Sequence, residues 1–358
     1  MVPVRPRVEL SPRDREILRD VVRTYLVSGE PVSSRTVARH ERHGVSAATI
    51  RNVMADLEEH GFLEQPHSSA GRVPSRNGLH FYISALMEAE APGPEERRRI
   101  EGELAGSAAD ASQLVDTASQ LLSRLSGQIG IVVTPQFGET ALEAVDFVPL
   151  SGRRVLCVVV SRGGFVENKL VETGEELSRE ELVRISNYLT ETFRGQTLRA
   201  IRERLLDRMV EERTRVDELM RRAILLARQG FEPRDEQALR IEGTSSLLAR
   251  PDAGDLASVR RVLDAFEERQ RLVGLLNQCL DGNAVRVVIG EDDEVTSDLG
   301  LALVARPWGA DDRARGTLGI LGPARMPYER IIPLVDYLGE SLGRALEESV
   351  NRQGTGGR

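Results

Sequence analysis

The punctuation of the first ninety residues constrains the fold most: three apolar-striped segments each open on a serine and stop at a glycine. Ser11 can cap the first, with Pro12 at the first helical position and Asp14 favoured by the positive end of the helix dipole. Ile17, Leu18, Val21, Val22, Tyr25 and Leu26 then recur at helical spacing, and Gly29 ends the run with Pro31 just beyond. A short second helix is capped by Ser33 or Ser34, turns Val37 and Ala38 inward and stops at Gly44. The third is capped by Ser46 and runs from about Ala47 to His60, with Gly61 at its end. Its buried face is Ile50, Val53, Met54 and Leu57; Ala48, Asn52, Ala55 and Glu59 lie opposite, with Thr49 and Arg51 on the flanks.

Two helices joined by a tight turn, the second small and polar on its outer face, have the form of a helix-turn-helix. Small Ala47 and Ala48 allow close entry into a major groove, and Thr49, Arg51 and Asn52 offer a hydroxyl, a forked donor and an amide to base edges. Phe62 to Gln65 reads as a strand, residues 66–71 as a turn, and Arg72 to Ser75 as the way out. A hairpin after the third helix is a wing, and His67, Ser68, Ser69, Gly71 and Arg72 suit contact with the DNA backbone or minor groove. From spacing alone, a three-helix module with a solvated outer face reads equally well.

Three stretches decide between these. Pro31 to Thr36 (PVSSRT), Ser46 to Glu58 (SAATIRNVMADLE) and Gln65 to Ser75 (QPHSSAGRVPS) resemble HrcA, the bacterial heat-inducible transcription repressor family. Gly319 to Tyr328 (GILGPARMPY) is similar to that family's G-V-I-G-P-T-R-M-D-Y, with Ala324 and Pro327 in place of threonine and aspartate. The resemblance extends over nearly the whole chain. It implies an α+β multidomain protein: an N-terminal winged helix-turn-helix, and a GAF-like α/β domain holding an inserted dimerisation domain. It adds Ser34 and Arg35 to the expected DNA contacts. It also implies a homodimer on double-stranded DNA at an inverted-repeat operator, the CIRCE element, and a GroEL-type chaperonin as a partner that keeps the repressor active.

Charge distribution fits this reading. The chain carries −8 overall, which argues against nucleic acid, but residues 1–82 hold twelve arginines against ten acidic residues. An acidic body with a locally basic end is compatible with DNA binding through that end. Lys169 is the sole lysine, so almost every cation is a guanidinium suited to bidentate phosphate or guanine contacts.

A chain of 358 residues exceeds one compact core. We expect the DNA-binding domain at 1–92, closed by the linker signature Ala91-Pro92-Gly93-Pro94. The GAF-like domain is expected at 93–140 and 278–348, and the insertion at 141–277. In the body, helix is expected from Ile100 to Leu125, a strand at Ile129–Thr134, and an antiparallel meander over Ala141–Leu150, Arg153–Ser161 and Gly164–Glu172. Helices follow over 178–230 and from Val259 to Leu276. Strands are expected at Val285–Ile289, Leu299–Arg306 and Thr317–Leu321, and a closing helix at Tyr328–Glu348.

No P-loop, H-E-x-x-H, G-x-S-x-G or kinase signature is present, so neither an enzyme nor a cofactor is expected. Cys157 and Cys279 form no C-x-x-C pair, which excludes a disulfide framework and fits a reducing cytoplasm. Nothing is apolar enough for a membrane span, and Met1 to Val8 lacks an apolar signal core. His40-x-x-His43 has metal-ligand spacing but no cysteine to support it, and polar surface is the simpler reading. Glu291-Asp292-Asp293-Glu294 reads as an exposed turn rather than a cation site. The rival to a repressor of chaperone operons is a winged-helix sensor of a metabolite or metal that regulates other genes.

Overall fold

The computed structural model describes residues 10–39, 46–67, 70–108, 110–150, 152–211, 218–231, 239–243, 269–280, 284–290, 301–309 and 316–355. Contacts divide the chain into two units, one of residues 1–92, 286–304 and 321–335, the other of 93–285, 305–320 and 336–358. One division between the units falls after Pro92. Residues 286–304 and 321–335 group with the N-terminal unit, where we expected them in the body.

In the first unit, α1 (Pro12–Ser28) opens on a reciprocal cap: Ser11 Oγ accepts from the Asp14 N–H, and Asp14 Oδ2 accepts from the Ser11 N–H. Helix α2 (Ser34–Ala38) is capped by Ser33 rather than Ser34, because Ser33 Oγ accepts from the Thr36 N–H. Helix α3 (Ala47–Glu59) starts at Ser46 as expected. Ile17, Leu18, Val21, Val22, Val37, Ile50, Met54 and Leu57 are all buried. Tyr25, Leu26, Ala38 and Val53, expected to point inward, are only half-buried at the margins of their stripes.

Strands β1 (Leu63–Glu64) and β2 (Val73–Pro74) pair antiparallel, Leu63 opposite Pro74. Ser75 then caps α4 (Arg76–Phe81), which runs into a π-turn at Tyr82–Leu86 closed by the Met87 N–H on the Tyr82 carbonyl. The sequence reading had no element here.

The second unit opens with α5 (Pro94–Gly106) and α6 (Ala111–Ser126), divided where Asp110 caps a new helix; we had expected one continuous helical region. Strand β3 (Ile129–Val133) is wholly buried. Strands β4 (Leu142–Pro149), β5 (Arg154–Ser161) and β6 (Val166–Glu172) form the expected meander, with Phe147 opposite Cys157 and Cys157 opposite Lys169. Helices α7 (Arg179–Phe193), α8 (Leu198–Glu211) and α9 (Glu218–Gly230) follow. Phe147, Cys157, Val159, Leu182, Ile185, Leu189, Phe193 and Ala227 join in one buried cluster that gives this segment its own core.

Strand β7 (Leu239–Glu242) went unread in the sequence and pairs antiparallel with β3, Val133 opposite Leu239. Among the described residues the later elements are α10 (Arg269–Asn277), β8 (Arg286–Ile289), β9 (Leu301–Trp308), β10 (Gly316–Pro323) and α11 (Tyr328–Thr355). One sheet has the order β7-β3-β10-β9-β8, and the meander is a separate sheet in the order β4-β5-β6. The chain is therefore mixed helix and sheet, as expected. Among the described residues no helix is long and apolar enough to cross a membrane. Val259, Leu263, Phe266, His40, His43 and the acidic run 291–294 lie outside the described residues.

Candidate nucleic-acid interface

Two short helices and a hairpin bring the expected contact residues together. Helices α1 and α2 both pack on α3. Ile50, Met54 and Leu57 are at most 1% exposed, which fixes α3's rotation about its own axis. The opposite face is set by that rotation: Ala48, Arg51, Asn52, Ala55 and Glu59 are all exposed, as the helical period requires. Ala47 and Thr49 are half-buried. Ser46 Oγ accepts from the Thr49 N–H at 3.2 Å and lies 3.1 Å from Thr49 Oγ1, so the Thr49 hydroxyl is engaged in the cap.

The same serine–threonine pairing starts α2. Ser33 Oγ accepts from the Thr36 N–H at 3.1 Å and lies 2.9 Å from Thr36 Oγ1. Arg35 is exposed on α2. Ser34 is 9% exposed, so it offers little surface for a ligand, contrary to the expectation for a contact residue.

The hairpin is tied at its foot as well as across its strands. Val32 and Arg72 exchange backbone hydrogen bonds at 2.8 and 2.9 Å, which joins the chain before α2 to the strand leaving the wing. Gly71 makes this approach possible, since a Cβ there would lie 2.4 Å from the Val32 carbonyl oxygen. Nearer the tip, Gln65 Nε2 donates to the Ala70 carbonyl at 3.1 Å and the Ala70 N–H donates to that of His67 at 2.9 Å. His67 is exposed; Ser68 and Ser69 lie outside the described residues.

Arg72 departs most from expectation. We had read it as a cation at the wing tip facing DNA. It sits at the foot, its side chain 17% exposed, with Nε and Nη2 at 2.7 and 2.6 Å from Glu58 Oε2 on α3. Glu58 and Val32 were not anticipated as parts of the site. No sequence periodicity relates positions 58 and 72, and only the hairpin's return brings them together.

Residues 112–332 match the family described as HrcA protein C terminal domain. A relative from Geobacter sulfurreducens, "Heat-inducible transcription repressor HrcA", is 39% identical over 95% of this chain and 99% of its own. One of the same description from Xanthomonas campestris pv. campestris is 38% identical over 94% of this chain and 96% of its own. A crystal structure described as a hypothetical protein at 2.2 Å resolution is 22% identical, with a TM-score of 0.58 over 95% of this chain and all of its own. At that identity the likeness concerns the fold alone.

Proposed function

The chain belongs to the HrcA family of heat-inducible transcription repressors, and on that premise we propose that it binds an inverted-repeat operator as a homodimer and blocks transcription of chaperone operons. The observation that carries this reading is the exposed face of α3. A helix held by three fully buried apolar residues presents Ala48, Arg51 and Asn52 to solvent beside a tied-down hairpin. This supports a winged helix-turn-helix, with α3 reading base edges and the hairpin lying along the backbone. Arg51 and Asn52 read bases; Thr49 and the N-terminus of α3 approach a phosphate. Arg35, His67, Ser68 and Ser69 contact the backbone. Ala47, Ala48 and Gly71 matter by their smallness, Ser34 and Arg72 by holding the frame.

The five-stranded sheet and its helices are the GAF-like domain. The meander with α7–α9 is the inserted dimerisation domain. Because β7 pairs with β3, we place the insertion at about residues 134–238, narrower than the 141–277 read from sequence. A homodimer matches the two-fold symmetry of an inverted repeat, and pairing two reading heads on one duplex multiplies a weak single-site affinity. The protein works in the cytoplasm, where a GroEL-type chaperonin restores the DNA-competent population after heat.

Footprinting of the full chain on the chaperone promoters of its source genome tests this. Protection of two symmetric half-sites is expected, with affinity falling steeply as salt rises. Protection of a single site, or none, would overturn the operator reading. After mild heating, operator binding should recover with chaperonin and ATP; recovery with one metabolite or metal instead would favour a sensor.

A further inference from the structure

The second unit carries a cleft that the operator reading does not use. It lies between the end of β9 and the middle of α11, with a volume of about 310 Å³, at the small end of the range for ligand pockets. Its floor is a place where side chains are missing. Gly339 and Gly343, one turn apart on α11, are both buried and both line it. Glycine weakens a helix interior, so two on one stripe call for a reason. At Gly339 the reason is Arg306, since a Cβ there would fall 2.5 Å from Arg306 Cδ. At Gly343 a Cβ would meet the Gly309 backbone, with the carbonyl oxygen at 3.3 Å.

Arg306 lines the cleft and is 9% exposed. Its Nη1 donates to the Asp336 carbonyl at 2.5 Å and to Asp336 Oδ1 at 2.6 Å, and its Nε to the Pro307 carbonyl at 3.3 Å. Among the described residues Nη2 has no hydrogen-bond partner. One nitrogen of a buried guanidinium is thus left for a ligand. On the rim, Glu340, Arg344 and Glu347 follow one another along one exposed face of α11, as a row of alternating charge. Such a row is ordinarily a solvated face held by its own pairs. This one borders a cavity, and Arg344 Nη2 donates to Ser341 Oγ at 3.2 Å. Trp308, 3% exposed, forms part of the opposite wall, its ring 6.4 Å from that of Phe165.

We propose that this cleft binds a small zwitterion with the chemistry of a free α-amino acid. The carboxylate pairs with Arg344 and with Arg306 Nη2, and the ammonium with Glu340 or Glu347. A bare anion would meet two glutamates and a bare cation two arginines, whereas a molecule carrying both charges offers each side chain its complement. The glycine floor admits the ligand closely to α11, and Trp308 supplies apolar surface for its side chain. The inference goes beyond the operator reading, and neither depends on the other.

Trp308 is the sole tryptophan, so its fluorescence reports occupancy of the cleft in the full chain without DNA. The test titrates the full-length protein with each proteinogenic amino acid in turn. For every one that responds, it repeats the titration with the N-acetylated and the carboxamide forms. A saturable change is expected with at least one free amino acid, weakened about tenfold or more when either charge is blocked. Arg344→Glu, an exposed substitution that leaves the fold intact, should weaken binding by about tenfold or more. Gly343→Val should abolish it by filling the floor, with circular dichroism as the check on folding. No saturable response to any amino acid up to about 10 mM would overturn the proposal. So would wild-type affinity in folded Arg344→Glu, because the ligand would then sit elsewhere. Equal binding of the free and N-acetylated forms would reduce the site to a carboxylate pocket and overturn the zwitterion reading.

Discussion

Arg72 and Glu58 are joined by two nitrogens converging on one oxygen, Nε at 2.7 Å and Nη2 at 2.6 Å from Glu58 Oε2. The pair links the strand leaving the hairpin to the last turn of α3, so the hairpin is tied to that helix by a side-chain contact as well as by the chain. Glu58→Ala removes a negative charge from the candidate interface, and simple electrostatics would then tighten binding to DNA. If the pair is a strut, Glu58→Ala and Arg72→Ala should both weaken operator binding instead. The two substitutions together should cost less than the sum of each, with a coupling of about 0.5–1 kcal/mol for so partly exposed a pair. Operator titrations of the double-mutant cycle would read this. A tighter Glu58→Ala variant would show that Arg72 is better freed for DNA than held by Glu58.

Arg51 and Asn52 should behave differently from the frame. Both are exposed on α3, away from the buried stripe. Replacing either by alanine should cost about 1–3 kcal/mol on the operator and relax preference at one base-pair position. Affinity for unrelated duplex should change little by comparison. Titrations against operators with each position varied would locate the reader, and unchanged operator preference in both variants would remove α3 from that role.

Helix α9 comes close to β5 at Gly230. A Cβ there would lie 2.6 Å from Cys157 Sγ and 3.3 Å from Cys157 Cβ. Gly230→Ala should therefore destabilise the meander's core by about 1–3 kcal/mol, as overpacking does. Burial pushes the Cys157 thiol up to about 12, with nearby Lys169 opposing weakly. At neutral pH it is a thiol and a poor nucleophile. Alkylation of Cys157 should track unfolding in urea, and in Gly230→Ala it should begin at lower denaturant. Rapid alkylation in the folded wild type would contradict this packing.

Glu181 should contribute to the acid dependence of the same domain. Its carboxyl is held below the usual range first by hydrogen bonds from the Ser178 backbone N–H and hydroxyl, then by Arg222 of α9. A carboxylate with a lowered folded pKa contributes stability in full above its unfolded value, near pH 4.5, and loses it as pH falls through the folded value. The denaturation midpoint of Glu181→Gln should lie below that of wild type at pH 7, and the gap should close as pH falls below 4.5 and through the folded value. A gap that persists there would mean Glu181 acts through packing.

The local devices of the N-terminal module were legible because their causes are local. Ser11, Ser33 and Ser46 cap the next residues in the chain, and Ile50, Met54 and Leu57 recur at the helical period. The meander was legible from alternation interrupted by turns. Arg72 was misread because its partner depends on how the hairpin returns to α3. The hydrogen bond from the Tyr82 hydroxyl to Glu329 was invisible for the same reason, since nothing in the spacing of residues 82 and 329 joins them. Strand β7 is only four residues long, half-buried and without alternation, and pairing with β3 is what makes it a strand.

That pairing has an evolutionary corollary. Val133 and Leu239 face each other as strand neighbours, so the chain departs into the meander's domain and returns from it across one inter-strand gap of about 4.8 Å. To the five-stranded sheet, everything in between is equivalent to an overgrown hairpin loop. The entropic penalty of such a loop rises only with the logarithm of its length, and a cargo that folds with adjoining ends reduces it further. A lineage can therefore enlarge, trade or discard that cargo without renegotiating the sheet's register. The inserted segment and the five-stranded sheet are thereby free to diverge at separate rates within one gene.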